Sequence, residues 1–135
     1  MSDPVRAAAS RDVVYRVQDQ YGRGPWRPGF SATWLDRSDV PLPPTFCEEF
    51  GWREVDVPRM FQRDEFFGSA CRTLEQLLRW FTPTERERLR SYGYSIVMMT
   101  VDRVLGESEN QVVFARRRSL TRGAIVIPWP ASICA

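Results

Sequence analysis

Three short segments carry side chains able to handle an anion, a sugar hydroxyl and a developing positive charge. The first is Tyr15-Arg16, followed closely by the Gly/Pro-rich run YGRGPWRPG. The planar fork of Arg16 suits a phosphate or a ribose hydroxyl, although on this segment alone an ordinary surface arginine is the plainer reading. The second runs from Phe67 through Gly68, Ser69, Ala70 and Cys71 to Thr73. Small hydroxyl residues just ahead of a helix make a polar corner that tolerates anions, and Thr73 also has the chemistry of a helix cap. The third is Gly106 to Gln111, where Glu107, Glu109 and the carboxamide of Gln111 open the apolar run Val112-Val113-Phe114. It reads equally well as a solvated hairpin turn or as the wall of a site.

What the chain lacks narrows the chemistry further. It has no histidine, and all 19 of its basic residues are arginine. Ser-His-Asp and Cys-His nucleophilic catalysis, histidine metal sites, Schiff-base lysines and the P-loop lysine are therefore excluded. Cys47, Cys71 and Cys134 are too few and too widely spaced for a metal cluster, and their odd number argues for free thiols in a reducing compartment. Cys71 has no neighbouring base and reads as a small, semi-buried residue rather than a nucleophile. With 19 basic and 17 acidic residues the net charge is +2, too balanced to make nucleic acid the default partner.

The elements that must hold these segments are those of one ordinary domain of 135 residues, 43% apolar and 27% charged. No run approaches the ~18 apolar residues of a membrane span, and the N-terminus shows no secretory h-region, so a cytoplasmic protein is expected. Residues 1–11 are polar and expected to fray, leaving 12–135 as the domain. Strands are expected near 12–17, 94–101, 111–116 and 124–128, from β-branched and aromatic content. Between the first two, Phe30 to Phe67 is proline-punctuated and reads as irregular with one or two helical turns. Leu74, Leu77, Leu78 and Phe81 at i, i+3, i+4, i+7 mark an amphipathic helix, with a Thr73–Gln76 capping box at its start. Thr82-Pro83-Glu85 repeats that logic for a second helix ending at Gly93. The core is expected to hold Leu74, Leu77, Leu78, Phe81, Val97, Val113 and Ile125. This order predicts an α+β fold with a mostly antiparallel sheet and helices packed on part of it.

Taken in order over residues 12 to 128, these segments resemble the ADP-ribosyltransferase family, above all its small bacterial and phage members, some of them toxins. In that family the first strand ends in a YR or YH pair, a small Ser/Thr motif precedes a helix, and an E-x-E or Q-x-E turn enters a strand. The counterparts here are Tyr15-Arg16, Ser69 to Thr73, and Glu109-Asn110-Gln111 before Val112-Val113-Phe114. The resemblance implies NAD as substrate and cofactor, bound by Tyr15, Arg16, Ser69 and Thr73, with Glu109 and Gln111 as the catalytic pair. It also implies transfer of ADP-ribose to a macromolecular acceptor, protein or nucleic acid, or hydrolysis of NAD. The chain departs from the pattern where the family's catalytic Glu stands, because it carries Gln111. A neutral amide can hydrogen-bond a ribose hydroxyl but supplies no full negative charge; Glu109, two residues earlier on the same strand face, is the carboxylate expected to supply it.

Two other classes of function compete. The same fold could serve as an inactive binding or inhibitor protein, docking through an exposed Trp26 and Trp34 beside Arg23 and Arg27. A small structural or assembly protein using that aromatic loop for its contacts is the third. The enzyme reading makes one geometric demand: Arg16, Ser69 and Gln111 must meet in one pocket.

Overall fold

The computed structural model describes residues 12–38 and 40–131. The expected frayed segment 1–11 lies outside the described residues, as does Cys134. The chain folds as α+β, with two three-stranded antiparallel sheets in place of one. In the first, β1 (Asp12–Gln18) pairs along its whole length with β3 (Ser95–Val101), which pairs on its other side with β6 (Ile125–Ile127). In the second, β5 (Val112–Arg116) lies between β2 (Phe66–Ala70) and β4 (Arg103–Glu107). A backbone bridge ties the sheets together at one end of β2, where Tyr15 N and Cys71 N each donate to the other's carbonyl at 2.8 Å.

The alternation along β1 and β3 explains the layering. Val17 and Ile96 pack into a cluster with Trp34, Leu77, Phe81, Leu89 and Tyr94, on the helical side. Val14, Val97, Met99 and Val101 pack into a second cluster with Ala70, Val112 and Phe114 of the other sheet. Since side chains alternate along a strand, Arg16 shares the face of Val14 and is turned toward the second sheet.

Between β1 and β2 lie a 3-10 turn at Ser31–Thr33, helix α1 (Phe46–Phe50), capped by the side chain of Thr45, and a 3-10 segment at Glu54–Met60. Helix α2 (Leu74–Leu78) starts with the expected capping box of Thr73 and Gln76. It is shorter than the apolar stripe suggests, because Thr82 must be extended to cap α3 (Pro83–Ser91) ahead of Pro83. Gly93 follows α3 with φ 86°, the left-handed conformation glycine tolerates best.

Several expectations are corrected. Residues 66–70 form a strand, although Gly-Ser-Ala has little strand propensity. The turn expected from 106 starts later, because Arg103–Glu107 is a strand with a bulge between Val104 and Gly106. Leu74 and Leu78 are only half-buried, since a five-residue helix offers the core little face. Ile125 is 56% exposed, on a short edge strand paired on one side only. Trp34, expected at the surface, is fully buried, its indole N–H donating to Pro25 O at 3.1 Å. Trp26 is half-buried against it, with ring centroids 4.7 Å apart in a T-shaped pair. The aromatic loop thus spends its tryptophans inside the fold.

Candidate functional site

The site lies where β1 and β2 part beyond their single bridge. Arg16, 8% exposed, donates from Nε to Gln18 Oε1 (3.0 Å), from Nη1 to Ser69 O (3.0 Å) and from Nη2 to Gly22 O (2.9 Å). All three acceptors are neutral, and two of its five N–H groups find no acceptor among the described residues. Burial pulls the guanidinium down to about 10, opposed by the charge of Asp19 and by Tyr94. It stays cationic at neutral pH. Asp19 is itself engaged by Arg23 at 2.8 Å, so among the described residues the positive charge of Arg16 has no carboxylate in contact.

Glycine 68 makes room for this arrangement. A Cβ there would stand 2.7 Å from Arg16 Nη1 and 3.4 Å from the Phe114 ring, so any side chain at position 68 would displace the guanidinium. This is why a strand that reads poorly in the sequence carries a glycine opposite Phe114.

Around Arg16 opens a cavity of about 320 Å³, lined by Ser69 and Gln111, by Trp26, Trp80 and Phe81, and by Pro43 and Pro44. It is of ligand-site size and mostly apolar, with a few convergent polar groups. Arg27 also lines it, donating to Tyr94 Oη at 2.8 Å and stacking 4.6 Å over Phe30. Two buried donors in these walls, Trp26 Nε1 and Arg27 Nε, have no acceptor among the described residues. Ser69 is half-buried; its carbonyl is taken by Arg16, while its hydroxyl has no partner among the described residues. The described lining contains two arginines and no carboxylate.

Arg16, Ser69 and Gln111 thus meet in one cavity, though they are spread over 95 positions of the chain. Tyr15, Thr73 and Glu109 are not among its lining residues. Tyr15 faces the helical core on the other side of β1. Thr73 Oγ1 accepts from Gln76 N at 3.1 Å and serves as a cap. Glu109 is exposed and lines a neighbouring hollow of about 410 Å³ with Arg37, Gln76 and Arg79, because the turn before β5 separates it from Gln111. Pro43, Pro44 and Trp80 line both spaces. Cys71 is fully buried, and burial pushes its thiol up to about 12, so it offers no thiolate.

The carboxylate that meets Gln111 is Glu49 of α1, which the sequence reading missed. Glu49 Oε1 accepts from Ser108 Oγ (2.7 Å) and Gln111 Nε2 (2.9 Å), and Oε2 from Asn110 Nδ2 (2.6 Å). Burial pushes this carboxyl up, but those three hydrogen bonds outweigh it and hold Glu49 below the usual carboxylate range. The one local sign was the T-x-x-E spacing of Thr45 and Glu48 that starts α1; nothing in it points 62 positions ahead to Gln111.

Among the described residues, no group of three or more Cys, Asp and Glu is placed to hold a metal ion, and no helix is long and apolar enough to cross a membrane. The family model of the bacteriophage T4 Y00F protein matches residues 2–127. No curated protein and no solved structure matches the chain.

Proposed function

The chain belongs to the bacteriophage T4 Y00F protein family, and for this member we propose an ADP-ribosyltransferase-like fold whose pocket around Arg16 binds NAD for transfer of ADP-ribose. The observation that carries the reading is the meeting of Arg16, Ser69 and Gln111 in one aromatic-walled cavity. The free N–H groups of Arg16 suit a phosphate or ribose oxygen, and the aromatic walls suit a planar ring. The Ser69 hydroxyl would hold the nicotinamide side. Transfer breaks the bond between the ribose C1 and the nicotinamide nitrogen, which leaves neutral with the electron pair. An acceptor atom then bonds C1 and gives up its proton. The sugar is positively charged in between, so the walls must offer negative or dipolar groups. Gln111 offers a dipole, and Glu109 stands at the adjoining hollow, the side from which a protein or nucleic-acid acceptor would approach.

Thermal denaturation with and without NAD tests binding, since a ligand at ~100 times its Kd adds about 2.7 kcal/mol. Glu109→Gln is expected to abolish nicotinamide release and leave the NAD shift intact. Release unchanged in that variant removes Glu109 from the chemistry, and no shift at millimolar NAD overturns the reading. One observation favours a second reading, an inactive NAD-binding relative: no carboxylate lines the described pocket. It predicts the thermal shift without nicotinamide release.

A further inference from the structure

We infer that Glu49 is a positioning residue that holds the Gln111 amide so that its carbonyl oxygen faces the ligand, which commits this wall of the pocket to a ligand hydrogen-bond donor such as a ribose hydroxyl. The inference rests on the reading that the cavity around Arg16 is the ligand site.

The orientation follows from the partners. Gln111 Nε2 lies 3.0 Å from Pro44 O and 2.9 Å from Glu49 Oε1. A carbonyl and an ionised carboxylate only accept, so the amide must turn its NH₂ to them and both of its protons are spent. Oε1 is then the atom of Gln111 left without a protein donor among the described residues. Were Glu49 absent or neutral, only Pro44 O would still hold the NH₂, and the amide would lose its second, charge-assisted anchor. The same carboxylate also ties down the turn, through Ser108 Oγ and Asn110 Nδ2. Ser108 Oγ in turn accepts from the backbone of Asn110 (3.0 Å) and Gln111 (3.2 Å). The negative charge therefore sits one hydrogen bond behind the pocket wall and polarises the amide toward it.

The same geometry changes what Gln111→Glu does. From the sequence it restores the acid the family pattern carries; in the fold it sets two carboxylates at hydrogen-bond distance, where they cannot both ionise.

Two measurements test the assignment. In NMR, the Gln111 side-chain amide is identified by its loss in Gln111→Glu. Its two proton signals are expected to move on acidification as Glu49 protonates, below the ordinary carboxylate range, and to lose that response in Glu49→Gln. No response in the wild type, or one that survives Glu49→Gln, overturns the positioning role and needs no ligand. In the second, NAD affinity is read from tryptophan fluorescence. Glu49→Gln is expected to bind about tenfold more weakly, the worth of one hydrogen bond of about 1.4 kcal/mol. Equal affinity in Glu49→Gln also overturns it. If the wild type binds no NAD, the function proposed above fails, while the amide titration still decides the role of Glu49.

Discussion

Arg37 and Arg16 are both arginines withdrawn from water, and the protein treats them in opposite ways. The Arg37 side chain is 7% exposed and is gripped by Glu85, Nη2 to Oε1 at 2.5 Å and Nε to Oε2 at 3.0 Å. Glu85, fully buried, also accepts from the backbone N–H of Asp36 (2.9 Å) and Thr82 (2.8 Å). That charge is closed on itself and ties the proline-rich segment to the start of α3. Arg16 is also buried, yet among the described residues it hydrogen-bonds only a carboxamide and two carbonyls, with the Phe114 ring 5.9 Å from its guanidinium carbon. A buried cation held by neutral groups keeps most of its field, and here the field opens into a cavity. The pair built for architecture is neutralised; the one at the pocket is left for something else to complete.

The architectural half is expected to yield the largest effect. Glu85→Gln leaves Arg37 buried without its counter-charge, and removing one partner of such a pair costs about 3–5 kcal/mol, measured by urea denaturation. A loss under about 1 kcal/mol would erase the contrast with Arg16. The pH dependence follows from the same contacts. Burial pushes the Glu85 carboxyl up, but Arg37 and the backbone N–H groups of Asp36 and Thr82 hold it below its ordinary value. A depressed carboxylate contributes stability above its unfolded value of about 4.3 and loses it as pH falls through the folded value. The melting temperature of the wild type is therefore expected to fall below pH 4.3 more steeply than that of Glu85→Gln.

At the pocket the sign of interest is binding. Arg16→Met orphans three acceptors and is expected to cost about 1–3 kcal/mol, with the NAD-induced shift lost altogether. An unchanged shift would mean that Arg16 is architectural after all. Gly68→Ala probes the same guanidinium from outside, because the new Cβ meets Nη1 at 2.7 Å. Overpacking of this kind costs about 1–3 kcal/mol, and NAD binding is expected to weaken with it.

The sequence revealed the strands and the helix caps where period and cap chemistry are local. DVVYRV, YSIVMMTV and QVVFA are strands because β-branched and aromatic residues announce them. Strand β2 was hidden because Gly68 answers to the Arg16 guanidinium it faces and Ala70 to the core it packs into, and not to propensity. Trp34 was misplaced because its partner, the Pro25 carbonyl, is set by a Gly/Pro turn whose path no periodicity encodes. At the site, chain order sufficed to bring Arg16, Ser69 and Gln111 together, since each sits on or beside a strand. Period two put Glu109 on the face of Gln111, but the turn before β5 breaks that period. Glu49 answers to a contact across the fold, which the T-x-x-E spacing at the start of α1 does not encode.

The smallest expected effects separate the two hydroxyls that the sequence grouped together. Thr73 and Ser69 belong to one segment of small polar residues, but the fold divides their labour. Thr73 Oγ1 accepts from Gln76 N while Gln76 Oε1 accepts from Thr73 N, so Thr73→Ala is expected to cost about 1 kcal/mol and leave the NAD shift unchanged. The Ser69 hydroxyl has no protein partner among the described residues, so Ser69→Ala is expected to stay within about 0.5 kcal/mol of the wild type and to reduce the NAD shift. Paired thermal melts of the two variants, with and without NAD, read both quantities together. The reverse pattern, with NAD lost on Thr73→Ala and kept on Ser69→Ala, would move the ligand to the start of α2 and leave the split between the sheets as architecture alone.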